Sequence, residues 1–142
     1  MDRILIDTGV WYSRYDKRDT AASREDVETI FELVQPFDII LPWPIAYETL
    51  RTKFTRNRIA MSLFEEELKS PKIQFIDDTR YRDKAIELSF ESSRNWRPLS
   101  MVDCVLRLMM DDSNVQIKYF ATWNPKDFQD VCITKRIELL SN

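Results

Sequence analysis

The chain has 142 residues and a formal net charge of −3, and its 44% hydrophobic residues are enough for one core. It contains no histidine, which excludes Ser-His-Asp and Cys-His nucleophile sites and histidine-ligated zinc. Its single glycine, Gly9, excludes glycine-rich phosphate-binding loops. We therefore expect carboxylates to carry any catalysis, and carboxylates suit hard cations such as Mg²⁺ or Mn²⁺.

Short apolar runs alternate with longer amphipathic ones, a pattern typical of an α/β domain with a parallel sheet. In chain order, strands are predicted at 4–6, 37–41, 73–76 and 117–121, with an edge strand at 136–140. Helices are predicted at 22–34, from Pro44 through the basic stretch 51–58, at 59–69, from a cap at Thr79 to 93, and at 100–110. We expect residues 1–142 to form one domain.

Nothing in the sequence indicates a membrane or an export signal. No apolar run approaches the roughly 18 residues of a membrane span, and the run at 4–6 is too short for a signal peptide. Cys104 and Cys132 lie far apart without a C-x-x-C spacing, as expected of free thiols in a reducing cytosol. We therefore expect a cytoplasmic protein with no membrane association.

Acidic side chains follow the predicted strands. In open parallel sheets, ligand sites lie beyond the carboxyl ends of the strands. Asp7 directly follows the first strand, and Asn124 and Asp127 follow the fourth. Glu48 lies early in the helix after the second strand, and Asp103 lies in the first turn of another helix. Because clustered carboxylates repel one another unless a cation holds them, this arrangement predicts a divalent metal site.

Four segments carry a resemblance to a known family. They are ILIDTGVW at 4–11, PIAYETL at 44–50, SMVDCVL at 100–106 and FATWNPKDF at 120–128. In their order and spacing they resemble the PIN-domain nucleases, the family of the VapC-type toxins of bacterial and archaeal toxin–antitoxin pairs. The resemblance implies a three-layer α/β/α sandwich with a mainly parallel central sheet, and Mg²⁺- or Mn²⁺-dependent hydrolysis of RNA by an endoribonuclease.

The resemblance also implies roles for individual side chains. Asp7, Asp103 and Asp127 would hold the metal, and Glu48 would bind a second ion or orient the attacking water. The supporting polar groups would be Thr8, Thr122 and Asn124. Many family members carry an acid where this chain has Asn124, so either Asn124 or Asp127 could be the fourth ligand, and we predict Asp127. The resemblance further implies a homodimer and an antitoxin whose tail enters the acidic site.

Several alternatives stay open. Asp103, Arg107 and Asp111 recur every four residues, so an ion-pair stripe along the helix is a second explanation for Asp103. The basic side chains of the run 51–58 indicate either RNA-backbone binding or a solvated helix face: Arg51, Lys53, Arg56 and Arg58. A smaller basic patch, Arg94 and Arg97, precedes Pro98.

Two rival functions also remain. One is a degenerate PIN-like domain that binds RNA or protein without cutting, which Asn124 and Arg107 favour. The other is a phosphotransferase, which the missing Asp-x-Asp pair after the first strand disfavours, since Asp7 is followed by Thr8 and Gly9.

Overall fold

The computed structural model describes residues 2–95 and 97–142. Its centre is a sheet of parallel strands in the order β3-β2-β1-β4-β5. The strands are β1 (Arg3–Ile6), β2 (Asp38–Pro42), β3 (Ile73–Ile76), β4 (Tyr119–Ala121) and β5 (Glu138–Leu140). The predicted strands are confirmed, including the edge strand near the end of the chain. The sheet is parallel throughout its described strands, where the sequence predicted a mainly parallel one.

Helices cover both faces of the sheet. They are α1 (Thr8–Tyr15), α2 (Arg24–Leu33), α3 (Trp43–Thr49), α4 (Thr52–Thr55), α5 (Arg58–Leu68), α6 (Arg82–Asn95), α7 (Met101–Asp111) and α8 (Gln129–Lys135). Helix α1 packs against α2, α3 and α5, whereas α7 packs against α6 and α8. The helices between β1, β2 and β3 therefore form one layer and those between β3, β4 and β5 the other, the arrangement expected of right-handed crossovers for this strand order. The fold is the predicted three-layer α/β/α sandwich.

The central strands are apolar because both of their faces are covered. Ile4, Leu5 and Ile6 of β1 are fully buried, as are Ile40 and Leu41 of β2. A strand buried on both faces reads as a continuous apolar run, which is why these strands could be located from the sequence. Among the described residues, no helix is long and apolar enough to cross a bilayer.

The predicted helix through the basic stretch is wrong in one respect. Helix α3 ends at Thr49, Arg51 has an extended backbone (φ −75°, ψ 170°), and the short α4 then begins at Thr52. The break allows Phe54, which is 2% exposed, to enter an aromatic cluster with Tyr15 and other rings of the α1 layer. Burial of this ring outweighs continuation of the helix.

The predicted cap at Thr79 is also wrong. The backbone N–H and the hydroxyl of Thr79 both donate to Oδ1 of Asp77, so Asp77 organises the turn. A 3₁₀ turn over Thr79–Tyr81 leads directly into α6. Two helices, α1 and α8, were not predicted. Helix α1 begins one residue after Asp7, which turns that residue into an N-cap.

Candidate active site

The site lies where the strand order of the sheet reverses. The chain moves outward from β1 to β2 and β3, then returns to place β4 on the other side of β1. Ile6 pairs with Ala121 in register, so β1 and β4 end level with each other. The backbone N–H of Asp7 continues the ladder by donating to the carbonyl of Ala121 at 2.9 Å. Such a switch point is the usual location of a ligand site in an open parallel sheet.

Asp7 is held rigidly at this point. Its Oδ1 accepts from the backbone N–H of Thr8 at 2.9 Å, and its Oδ2 accepts from the hydroxyl of Thr122 at 2.8 Å. The residue is 8% exposed. Burial raises the pKa of the Asp7 carboxyl, the two hydrogen bonds oppose that rise, and the negative charges of Glu48 and Asp127 add to it.

Glu48 reaches the site from α3. Its Oε1 accepts from the hydroxyl of Thr8 at 2.7 Å, which ties α3 to the first residue of α1. The two threonines predicted as supporting hydroxyls, Thr8 and Thr122, therefore each donate to an acid predicted to be catalytic.

Asp103 lies in the first turn of α7, where the hydroxyl of Ser100 accepts from its backbone N–H at 3.1 Å and caps the helix. Burial raises the pKa of Asp103 to about 7, and the negative charges of Asp7, Asp127 and Glu48 contribute to the rise. We call Asp7, Glu48, Asp103 and Asp127 the carboxylate quartet. Four acids that are distant in sequence therefore interact electrostatically at one edge of the sheet.

Asp127 and Asn124 are placed differently. Asp127 belongs to a 3₁₀ turn after β4, and its negative charge raises the pKa of both Asp7 and Asp103. Its Oδ1 pairs with Nε of Arg97 at 2.9 Å. Asn124 has an exposed side chain, and its backbone N–H donates to the hydroxyl of Thr122 at 3.0 Å. The electrostatic coupling to Asp7 and Asp103 favours Asp127 over Asn124 as the fourth acid. A role of Asp127 in metal binding stays a prediction.

Arg107 is directed toward α8 rather than along its own helix. Its two terminal nitrogens donate to the carboxylate of Asp130 at 2.7 and 2.6 Å, and one of them also donates to the backbone carbonyl of Asp127 at 2.7 Å. Asp111, the third member of the predicted stripe, pairs with Lys135 at 3.5 Å. Arg107 and Asp111 therefore pair with α8, a helix that was not predicted, whereas Asp103 faces the other acids of the quartet.

The basic run is divided between two environments. Arg51 and Lys53 line a cleft of about 610 Å³ together with Arg18 and Gly9 of the α1 side. Nε of Arg51 donates to the hydroxyl of Tyr12 at 2.7 Å, so the guanidinium is positioned rather than free. Arg56 follows α4 as its C-cap, and Arg58 is the first residue of α5; both are exposed. Tyr12 was not identified from the sequence, because only tertiary packing brings it to Arg51.

The chemistry of the quartet fits a hard divalent cation. All of its donors are carboxylate oxygens, and a cation would offset both the burial and the mutual repulsion that raise the pKa of Asp103. Within residues 2–95 and 97–142, however, no three acidic or cysteine side chains are already arranged as a metal-ligand set. The electrostatic coupling of the acids is compatible with the lack of a ready ligand set. Charges interact over longer distances than the 2.0–2.6 Å typical of Mg²⁺ or Ca²⁺ coordination.

Comparisons with known proteins add information on the fold. No family model matches the sequence. No curated protein matches it either. Among solved structures, the chain is similar to one in the crystal structure of VapBC2 from Rickettsia felis bound to a DNA fragment from their promoter. The TM-score is 0.61, the identity is 15%, and the alignment covers 96% of each chain. This likeness shows that the chain shares the α/β fold of that solved chain along nearly its whole length.

Proposed function

We propose that the protein is a Mg²⁺- or Mn²⁺-dependent endoribonuclease that hydrolyses RNA phosphodiester bonds. The observation that carries the proposal is the carboxylate quartet. Four separate segments bring acids to the switch point of a parallel sheet, where burial, together with the charges of the other three acids, raises the pKa of Asp103 to about 7. A fold gains nothing in stability from gathering acids in this way, and this cost supports the proposal of a bound cation.

In this proposal Asp7, Asp103 and Asp127 hold the cation. When bound, such a cation supplies Lewis acidity toward a phosphodiester oxygen. Asp7 is the most rigid of the three, because strand β1, Thr8 and Thr122 all orient it. Glu48, fixed by the hydroxyl of Thr8, binds a second ion or orients the attacking water. The chain's own contribution is to position these oxygens and to exclude solvent around Asp7.

The cleft lined by Arg51 and Lys53 supports RNA as the polyanion. Gly9 and Tyr12 of α1 border this cleft, and α1 begins at the residue after Asp7. These cations share the cleft with Asp16 and Asp19, and they lie beside the helix whose first residue follows Asp7. Phosphate contacts of this kind make binding salt-dependent.

We further propose that the protein is the toxin of a toxin–antitoxin pair, with an antitoxin partner, and that it forms a homodimer in the cytoplasm. Support comes from the full-length likeness to a chain of the VapBC2 structure, which contains a complex bound to promoter DNA. The proposal predicts that growth inhibition by the expressed chain is relieved by a short DNA-binding protein encoded by a neighbouring gene. Inhibition that such a partner does not relieve would contradict the toxin assignment.

Cleavage of RNA tests the nuclease directly. Purified protein should cut RNA in Mg²⁺ or Mn²⁺, lose that activity in EDTA, and lose it in Asp7→Asn. Asp83→Asn is the matched control, since it removes one negative charge from an exposed position in the first turn of α6. Cleavage at the wild-type rate by Asp7→Asn, or in EDTA, would refute the mechanism.

A PIN-like domain that binds RNA or protein without cutting is the second candidate. Two observations favour it: Asp127 is engaged by Arg97, and no three acids of the described residues form a ready ligand set. Calorimetry separates the two functions. Retained RNA binding together with no detectable Mn²⁺ binding would decide for the binding domain.

A further inference from the structure

One arginine binds a member of the carboxylate quartet directly. Arg97 lies in the segment between α6 and α7, and its Nε pairs with Oδ1 of Asp127 at 2.9 Å. One of its terminal nitrogens also donates to the backbone carbonyl of Lys126 at 3.0 Å. Two bonds to neighbouring residues hold the guanidinium over the turn that carries Asp127, at the edge of the acidic site.

The segment that carries Arg97 is anchored independently of this contact. The backbone N–H of Leu99 donates to the hydroxyl of Ser92 at 3.0 Å, and the carbonyl of Leu99 accepts from Ser89 at 2.7 Å. Leu99 itself is 5% exposed. The arginine can therefore leave Asp127 without unfolding of the connection between α6 and α7.

The pair is open to solvent on the side of the arginine. The side chain of Arg97 is 43% exposed and that of Asp127 is 21% exposed. An exposed ion pair is weak and exchanges readily with other cations. By contrast, the side chain of Arg107 is 17% exposed and donates to the carboxylate of Asp130 and to the backbone carbonyl of Asp127.

We propose that Arg97 is a positioning residue that acts through Asp127 and competes with the divalent cation for its carboxylate. In the absence of the cation, Arg97 neutralises one acid of the quartet and fixes the orientation of Asp127. Binding of the cation displaces the guanidinium into solvent, where it is available to a phosphate of the substrate. This inference rests on the proposed metal site, and it concerns metal affinity rather than the cleavage reaction.

Calorimetric titration of the whole chain with Mn²⁺ tests the competition. Arg97→Gln should bind Mn²⁺ about two- to fivefold more tightly than the wild type, the factor that corresponds to release of an exposed ion pair. Arg94→Gln is the matched control, because Arg94 is an exposed arginine at the end of α6 and its loss changes the net charge equally. Equal or weaker binding by Arg97→Gln than by Arg94→Gln would overturn the proposal.

A spectroscopic measurement follows the arginine itself. The Nε–H resonance of Arg97, assigned by its absence from Arg97→Gln, should shift when the wild type is saturated with Mg²⁺. Saturation that leaves this resonance unchanged would also overturn the proposal. Failure of the metal site itself gives a different result. In that case the wild type, Arg97→Gln and Arg94→Gln all fail to bind Mn²⁺, and both the nuclease and the competition are refuted. Tighter Mn²⁺ binding by Arg97→Gln than by Arg94→Gln, together with a wild type that does not cleave RNA, would refute the nuclease and support the competition.

Discussion

Replacement of Asp103 by asparagine should stabilise the protein above neutral pH while it removes a predicted metal ligand. Burial and the charges of the other three quartet members raise the pKa of Asp103 from 3.8 to about 7 in the folded state. The folded protein therefore binds this proton more tightly than the unfolded chain. Ionised Asp103 therefore lowers the free energy of unfolding. This loss is absent below pH 4, grows as the pH rises to 7, and reaches its full value above pH 7.

The size of the effect follows from the rise in pKa. A rise of about three units corresponds to a ceiling of about 4 kcal/mol at 1.36 kcal/mol per unit. Because the Asp103 side chain keeps some contact with solvent, screening reduces the expected gain to about 1–2 kcal/mol. For a chain of this size, such a gain raises Tm by about 3–8 °C.

Urea denaturation in EDTA at pH 5 and pH 8 measures this difference. Asp103→Asn should have a higher free energy of unfolding than the wild type at pH 8, and the difference should shrink toward pH 5. Asp83→Asn serves as the control and should be neutral or slightly destabilising at both pH values, since an acid in a first helical turn is favourable. A variant less stable than the wild type at pH 8 would refute the electrostatic reasoning.

Three further substitutions test other contacts. Thr49→Val should stabilise the protein by about 1 kcal/mol in urea denaturation, because its hydroxyl is buried without a partner among the described residues; a loss of stability would reveal an unrecognised partner. Thr122→Val should weaken Mn²⁺ binding and destabilise the fold by about 1–2 kcal/mol, because the buried carboxylate of Asp7 loses a hydrogen bond. Calorimetry measures the binding and urea denaturation the stability, and unchanged values of both would contradict this prediction. Arg107→Lys should lower the stability by about 1 kcal/mol, since lysine cannot make the two-pronged contact with Asp130; an unchanged Tm would argue against that contact.

The strands and most helices were predictable because their sequence signals are local. Ile73–Ile76 was located to the residue, and Ser100 was identified as the cap of α7. Helix α1 was missed because it is buried on several sides. Its buried positions include Ser13 as well as Val10 and Trp11, so the apolar spacing is blurred. Trp11 itself is fully buried in the core.

The candidate site was predictable only where a residue follows a strand directly. Asp7 meets that condition, and the structure places it at the end of β1 beside the end of β4. Its contact with Thr122 spans 115 residues, and no spacing rule relates such positions. The ion pair between Arg97 and Asp127 likewise depends on how the segment before α7 meets the turn after β4. Tertiary packing alone decides contacts of this kind.

The late position of β4 in the chain affects how the protein is made. Strand β4 is one of the two strands that pair with β1, yet β4 is translated more than a hundred residues after β1. While the ribosome is still short of Ala121, the nascent chain cannot supply the backbone carbonyl that receives the Asp7 N–H. Thr122 and Asp127 emerge later still. A stalled or truncated product that stops before β4 therefore lacks an assembled acidic site, and any activity of that site is confined to chains whose synthesis has passed this strand.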